Sequence, residues 1–176
     1  MKPNKIFINH AEIMQAVEYI ALSINEDYQG KEICFIGVLK GASIFMADLV
    51  RLIDVPMKMD FVTASSYGNS TESSGKVRIK DMTQDITGRN VIIVEDIIDT
   101  GNTLHFLKKY FEKRNPASVR IAVLLDKAQR REIDVKIDYR GFVIPDIFVI
   151  GYGMDYDEKY RNLPDIIELT EWKCIN

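Results

Sequence analysis

Apolar residues in this chain fall into short, nearly unbroken runs. The clearest are residues 33–39 (Ile-Cys-Phe-Ile-Gly-Val-Leu), 91–94 (Val-Ile-Ile-Val) and 119–125 (Val-Arg-Ile-Ala-Val-Leu-Leu). Runs of this length, rich in β-branched residues and bounded by polar turns, predict strands buried on both faces. Elsewhere the apolar period is helical. Ile13, Val17, Ile20 and Ile24 recur until Gly30, and Asn9 followed by Glu12 resembles a capping box. Leu104, Leu107, Tyr110 and Phe111 share one face, opposite Lys108, Lys109, Glu112 and Lys113. A helix also follows the 33–39 run, to about residue 53. Residues 6–8 read as a short strand. Residues 57–64 alternate in part and suit an edge or half-covered strand, with 77–80 pairing back. Residues 137–143 and 147–150 read as further strands separated by Pro145, and 166–170 as a last one.

Strands near 33–39, 91–95, 119–125 and 146–150, with helices between the first three, predict an α/β architecture around a mainly parallel sheet. Ligands then lie beyond the carboxyl ends of the strands. Residues 57–80 and the chain ends are left to form a flap and a small hood. At 176 residues, without repeats or an interdomain linker, the chain suits one domain over 1–176.

Composition narrows the class. Apolar residues make up 47% and charged residues 28%, ordinary for a globular enzyme. A net charge of −3 offers no global attraction for nucleic acid. No long uncharged apolar run and no signal-peptide core point to a membrane or to export, so the expected location is the cytoplasm. Cys34 and Cys174 provide neither a disulfide framework nor zinc spacing.

The chemistry is concentrated after the 91–94 run. Glu95, Asp96 and Asp99 crowd three carboxylates at a strand end, and Thr100, Gly101, Asn102 and Thr103 lead into the next helix. A helix N-terminus presents free N–H groups and a partial positive charge, so a phosphate fits over residues 99–103. Clustered acids repel and lose solvation, and are tolerated where cations or hydroxyls meet them. A phosphorylated ribose with a divalent metal satisfies both halves. Lys40-Gly41 ends the 33–39 run in a second strand–loop–helix junction. Residue pattern alone leaves it open whether Lys40 holds a second anion or faces solvent. Residues 65–75 are almost all small and polar, with Tyr67 as the one large side chain, and read as a mobile loop. Residues 129–132 (Gln-Arg-Arg-Glu) read as a solvated turn. Walker A and dinucleotide fingerprints are absent.

Residues 91–104 resemble the phosphoribosyl-pyrophosphate motif of type I phosphoribosyltransferases. Within that family the chain looks most like the hypoxanthine (hypoxanthine-guanine) phosphoribosyltransferases, over roughly residues 5–170 and in four separated motifs. The resemblance implies a pyrophosphate loop at Leu39, Lys40 and Gly41, where the peptide before the lysine can be cis, with Arg161 also reaching the pyrophosphate. It implies a loop whose Ser66-Tyr67 pair closes over the reaction centre. It places Glu95 and Asp96 on the ribose hydroxyls, Thr100, Gly101, Asn102 and Thr103 on the 5′-phosphate, and Asp99 at the purine N7 as general base. It implies purine contacts from Lys127, Phe148, Val149 and Asp155. Mg²⁺ is the implied cofactor, with Glu95, Asp96 and Asp155 as metal-side carboxylates. The implied substrates are phosphoribosyl pyrophosphate, hypoxanthine and guanine, without nucleic-acid or membrane partners, in a homo-oligomer (dimer or tetramer). Departures are small: Asn102 and His105 sit where members vary, Ala128 stands where many bacterial members carry proline, and Ile147 where some carry lysine.

Three other readings remain. A nucleotide-binding regulator of RNA or transcription on the same fold lacks a basic stripe here. A sibling enzyme preferring xanthine would differ in a few contacts near Lys127 and Asp155. Asp99-Thr100-Gly101 also spells the aspartic-protease triplet, but that fold is all-β and needs a pair of such aspartates.

Overall fold

The computed structural model describes residues 5–66, 77–80 and 84–170. In chain order the elements are β1 (Lys5–Ile8), α1 (His10–Asp27), β2 (Ile33–Leu39), α2 (Ser43–Val50), β3 (Met57–Ser66), β4 (Val77–Lys80), β5 (Asn90–Ile98), α3 (Asn102–Glu112), β6 (Ser118–Asp126), β7 (Tyr139–Val143), β8 (Val149–Ile150) and β9 (Ile166–Glu168). A 3₁₀ turn, Ala128–Arg130, follows β6.

The main sheet has the order β4-β3-β2-β5-β6-β7. Five of its strands run parallel, and β4 pairs antiparallel with β3 at the edge. Side chains alternate faces along a strand, which explains the unbroken apolar runs. Phe35, Ile92, Val94, Ala122 and Leu124 pack beneath α1 and α2, against Ile13, Val17, Ile20, Ile24, Phe45 and Leu49. The intervening residues, Cys34, Ile36, Val38, Val91, Ile93, Ile121 and Val123, pack beneath Leu104, Leu107 and Phe111 of α3. Cys34 is buried, and burial raises its thiol pKa above the ordinary range, so it serves as core.

Helix α1 begins with the capping box. Asn9 Oδ1 accepts the Glu12 N–H at 3.0 Å, and Glu12 Oε2 accepts the Asn9 N–H at 2.8 Å. Such caps contribute about 1 kcal/mol. The register Ile33↔Met57 and Ile33↔Asn90 aligns β2, β3 and β5. The loops that leave β2, β5 and β6 therefore emerge side by side at one sheet edge.

The structure corrects the reading of residues 137–150. The last parallel strand is β7, starting at Tyr139 rather than at residue 137. Asp138 turns instead to β6, where its N–H donates to Ile121 O and its Oδ2 accepts the Ile121 N–H, both at 3.0 Å. The 146–150 run is not in the parallel sheet. Only Val149–Ile150 is strand, and it pairs antiparallel with β9, which pairs with β1. Pro145 ends β7, and a turn with Ile147 N–H on Pro145 O at 2.9 Å redirects the chain. The three short strands bring both chain ends together as the hood. β3 and β4 pair from Thr63↔Lys80 to Ser66↔Val77, so residues 77–80 do return along β3. Tyr67 and the segment 67–76 lie outside the described residues.

Candidate active site

Three junctions build the site. After β5 the chain passes Asp99 and Thr100 into Gly101, whose φ of 90° precedes α3. A side chain there would be strained, and its Cβ would lie 2.6 Å from Ile133 O. Glu95, Asp99, Thr100, Gly101 and Thr103, with Leu39, line a cavity of about 200 Å³ at the N-terminus of α3. Asn102 is turned away from it. Its Nδ2 donates to Thr100 Oγ1 and to Glu132 Oε2, both at 3.1 Å, so it braces the loop.

A second cavity, of about 230 Å³, is lined by Asp96, Asp99, Lys127, Phe148, Val149 and Asp155 among others. The four residues expected around a purine thus come together. Ile97 and Asp99 line both cavities. Phe148 meets Tyr156 edge-on, ring centroids 5.9 Å apart. A larger cleft of about 620 Å³, between α1 and the connection from β6 to β7, contains none of the expected site residues.

The third junction follows β2. The Leu39–Lys40 peptide is cis. Lys40 Nζ donates to Glu158 Oε2 at 2.7 Å. Arg161 Nη1 donates to Gly153 O at 2.8 Å, while Nη2 lies 2.9 Å from Asp155 Oδ1 and 3.4 Å from Glu158 Oε1. The two cations expected on the pyrophosphate therefore converge on Glu158. The Lys40 hydrogen bond holds Glu158 below the usual carboxylate range.

The family model described as "Phosphoribosyl transferase domain" matches residues 4–157. The chain belongs to this family. The hypoxanthine-guanine phosphoribosyltransferase of Streptococcus pneumoniae R6 is 50% identical over 168 residues, 95% of this chain and 93% of that protein. That of Bacillus subtilis 168 is 49% identical over 163 residues, 92% of this chain and 91% of its own. A crystal structure of a Bacillus anthracis hypoxanthine-guanine phosphoribosyltransferase, 48% identical, covers 96% of this chain and 100% of its own with a TM-score of 0.92.

In this phosphoribosyltransferase the carboxylates within β5 are electrostatically stressed, since the strand continues past Val94 through Glu95 and Asp96 to Ile98. Burial, then the adjacent Asp96, pushes Glu95 well above the usual carboxylate range. Glu95 Oε2 is buried without a hydrogen-bond partner among the described residues. Burial also raises Asp96, although the Ile97 N–H donates to its Oδ1 at 2.9 Å. An uncompensated acid pair fits a divalent cation and ribose hydroxyls. Among the described residues no three His, Cys, Asp or Glu side chains group as a metal site. A magnesium ion suits such a place, since it takes one or two carboxylates and completes its shell with water and phosphate oxygens.

Sequence reasoning missed the supports behind these residues. The segment 129–132 is a largely solvated turn, with Gln129, Arg130 and Glu132 exposed, but its charges meet specific partners. Arg130 Nε lies 3.0 Å from Asp99 Oδ1. The Arg131 guanidinium, 16% exposed, pairs with the buried Asp126, which Arg140 also contacts at 3.0 Å. Glu132 holds Asn102, and its N–H donates to Thr100 O at 2.9 Å. Asp146, 3.8 Å from Lys127 Nζ, was likewise not anticipated. Each is an ordinary charged residue in a polar stretch. No spacing signal marks which opposite charge it meets.

Proposed function

We propose that this phosphoribosyltransferase acts in purine salvage, transferring the 5-phosphoribosyl group from phosphoribosyl pyrophosphate to hypoxanthine and guanine. A purine nitrogen forms the new bond to ribose C1, the C1–oxygen bond to pyrophosphate breaks, and the products are inosine or guanosine monophosphate and pyrophosphate. The observation that carries this reading is Asp99, which lines the helix-N-terminal cavity on one side and the Lys127–Phe148 cavity on the other. Donor and acceptor sites of a group transfer must meet in this way.

Thr100, Gly101 and Thr103 anchor the 5′-phosphate on the α3 N-terminus. Glu95 and Asp96 hold the ribose hydroxyls. Lys40 and Arg161 stabilise charge on the departing pyrophosphate. Lys127 donates to the purine 6-oxo group, and Phe148 covers the purine face. Asp99 accepts the N7 proton, a role worth about 10²–10⁴-fold. Glu95 and Asp96, with Asp155 on the purine side, would hold Mg²⁺, which when bound supplies positive charge beside the pyrophosphate. The reading places one domain over residues 1–176, in the cytoplasm, as a dimer or tetramer. No helix among the described residues is long and apolar enough to cross a membrane.

The test is a spectrophotometric assay with phosphoribosyl pyrophosphate and Mg²⁺, run separately with hypoxanthine, guanine, xanthine and adenine. Turnover of the first two that stops on chelating the metal supports the reading. Turnover of xanthine alone, or of no base, overturns it.

A further inference from the structure

Four charged groups form a continuous chain that begins and ends at two residues lining the cavity assigned to the purine, Lys127 and Asp99. Lys127 Nζ lies 3.8 Å from Asp146 Oδ1, the same oxygen lies 3.5 Å from Arg130 Nη1, and Arg130 Nε lies 3.0 Å from Asp99 Oδ1. The backbone places these groups. Arg130 is the last residue of the 3₁₀ turn that follows Lys127, and its N–H donates to Lys127 O at 3.0 Å. Residues three apart in a 3₁₀ turn lie on the same side. Lys127 and Arg130 therefore face one way, and Asp146 reaches both from the connection between β7 and β8.

Asp99 needs such a support. Its side chain sits where the two cavities meet, and a carboxylate free to rotate there would seldom point at the acceptor nitrogen. Its Oδ1 is buried without a hydrogen-bond partner among the described residues and meets Arg130 Nε at 3.0 Å as an ion pair, while the side chain as a whole is 40% exposed. The oxygen left to reach a ligand is Oδ2.

We propose that Arg130 is a positioning residue for the transfer, holding Asp99 Oδ1 so that Oδ2 faces the purine N7, with Asp146 holding Arg130 in turn. The proposal rests on the reading that Asp99 acts at the purine. Arg130 lines neither cavity. The guanidinium suits this task because its charge is spread over a planar group, so Nε lies beside Asp99 and Nη1 beside Asp146 at once, which the compact ammonium of lysine does not allow. The arrangement also links recognition to chemistry, since Asp146 contacts both Lys127 and Arg130.

The experiment is a double-mutant cycle on the full chain with Mg²⁺, each substrate varied in turn while the other is saturating. Arg130→Ala lowers kcat roughly tenfold, mid-range for a coupled pair, and leaves the KM for phosphoribosyl pyrophosphate little changed. Arg130→Lys recovers part of the loss and also shows that the position tolerates substitution. In the Asp99→Asn background, Arg130→Ala costs nothing more, because the group it positions is already gone. An equal proportional loss in both backgrounds overturns the proposal, as does parental kcat in Arg130→Ala, while slow Asp99→Asn keeps the underlying reading intact. Parental kcat in Asp99→Asn overturns both.

Discussion

Gly41, in the loop after β2, and Asp96, near the end of β5, touch. A β-carbon on Gly41 would lie 1.9 Å from Asp96 Oδ2. On the other side, a β-carbon on Gly153 would lie 2.1 Å from Gly41 O. The loop after β2, proposed to hold the pyrophosphate, is thus wedged between β5 and the turn that follows β8. Gly41→Ala must move Asp96 or the loop. The expected outcome is a fall in kcat/KM for phosphoribosyl pyrophosphate of about 10²-fold, the cost of misplacing a binding group by an ångström. Steady-state kinetics at saturating hypoxanthine check it.

Lys127 is 7% exposed and borders the cavity assigned to the purine. Lys127→Ala leaves a purine 6-oxo group without its charged donor, a loss of roughly 1.5–3 kcal/mol. The KM for hypoxanthine then rises by about 10–150-fold, while that for phosphoribosyl pyrophosphate holds. An unchanged hypoxanthine KM would make Lys127 structural.

Glu158 pairs with both Lys40 and Arg161, the two cations proposed for pyrophosphate. A ligand must displace it. The Lys40 pair is about two-thirds exposed, so the competition is weak. Glu158→Gln lowers the KM for phosphoribosyl pyrophosphate and the inhibition constant for pyrophosphate about two- to fivefold, the range of exposed pairs. Product-inhibition kinetics read both constants.

Glu95 predicts a stability effect with a definite sign. Its folded pKa is raised above its ordinary 4.5 by burial and Asp96. The folded state therefore binds more protons than the unfolded state, and the stability present below pH 4.5 is lost as pH rises through the folded value. Glu95→Gln has no such loss. In chelator and without substrate, the variant and the parent melt alike near pH 4, and the variant's Tm is higher at pH 8 by roughly 2–4 °C per kcal/mol recovered. Differential scanning fluorimetry across pH tests this. Calorimetric titration of phosphoribosyl pyrophosphate with Mg²⁺ shows weakened donor binding in the same variant.

Local pattern was sufficient for β2, β6 and the first half of β5, because a strand segment buried on both faces is predominantly apolar; it missed that β5 continues through Glu95 and Asp96 to Ile98. It was also sufficient for the N-terminal turn of α3, where Gly101 adopts a positive φ. It misassigned residues 147–150, because an apolar run states that a strand is buried and not which strand it joins. β8 finds its partner in β9, seventeen residues or more along the chain, after Pro145 has turned it off the main sheet.

The amino-acid order alone specified the α/β class, the cluster of acids and the small polar turn that opens α3, since burial, turn chemistry and helix capping act over a few residues. It could not specify that Arg130 faces Asp99, that Asp146 bridges Lys127 and Arg130, or that Glu158 gathers Lys40 and Arg161. Charge attraction has no period and no fixed spacing. Which carboxylate a lysine or arginine meets is settled when parallel strands in register bring distant loops to one edge of the sheet.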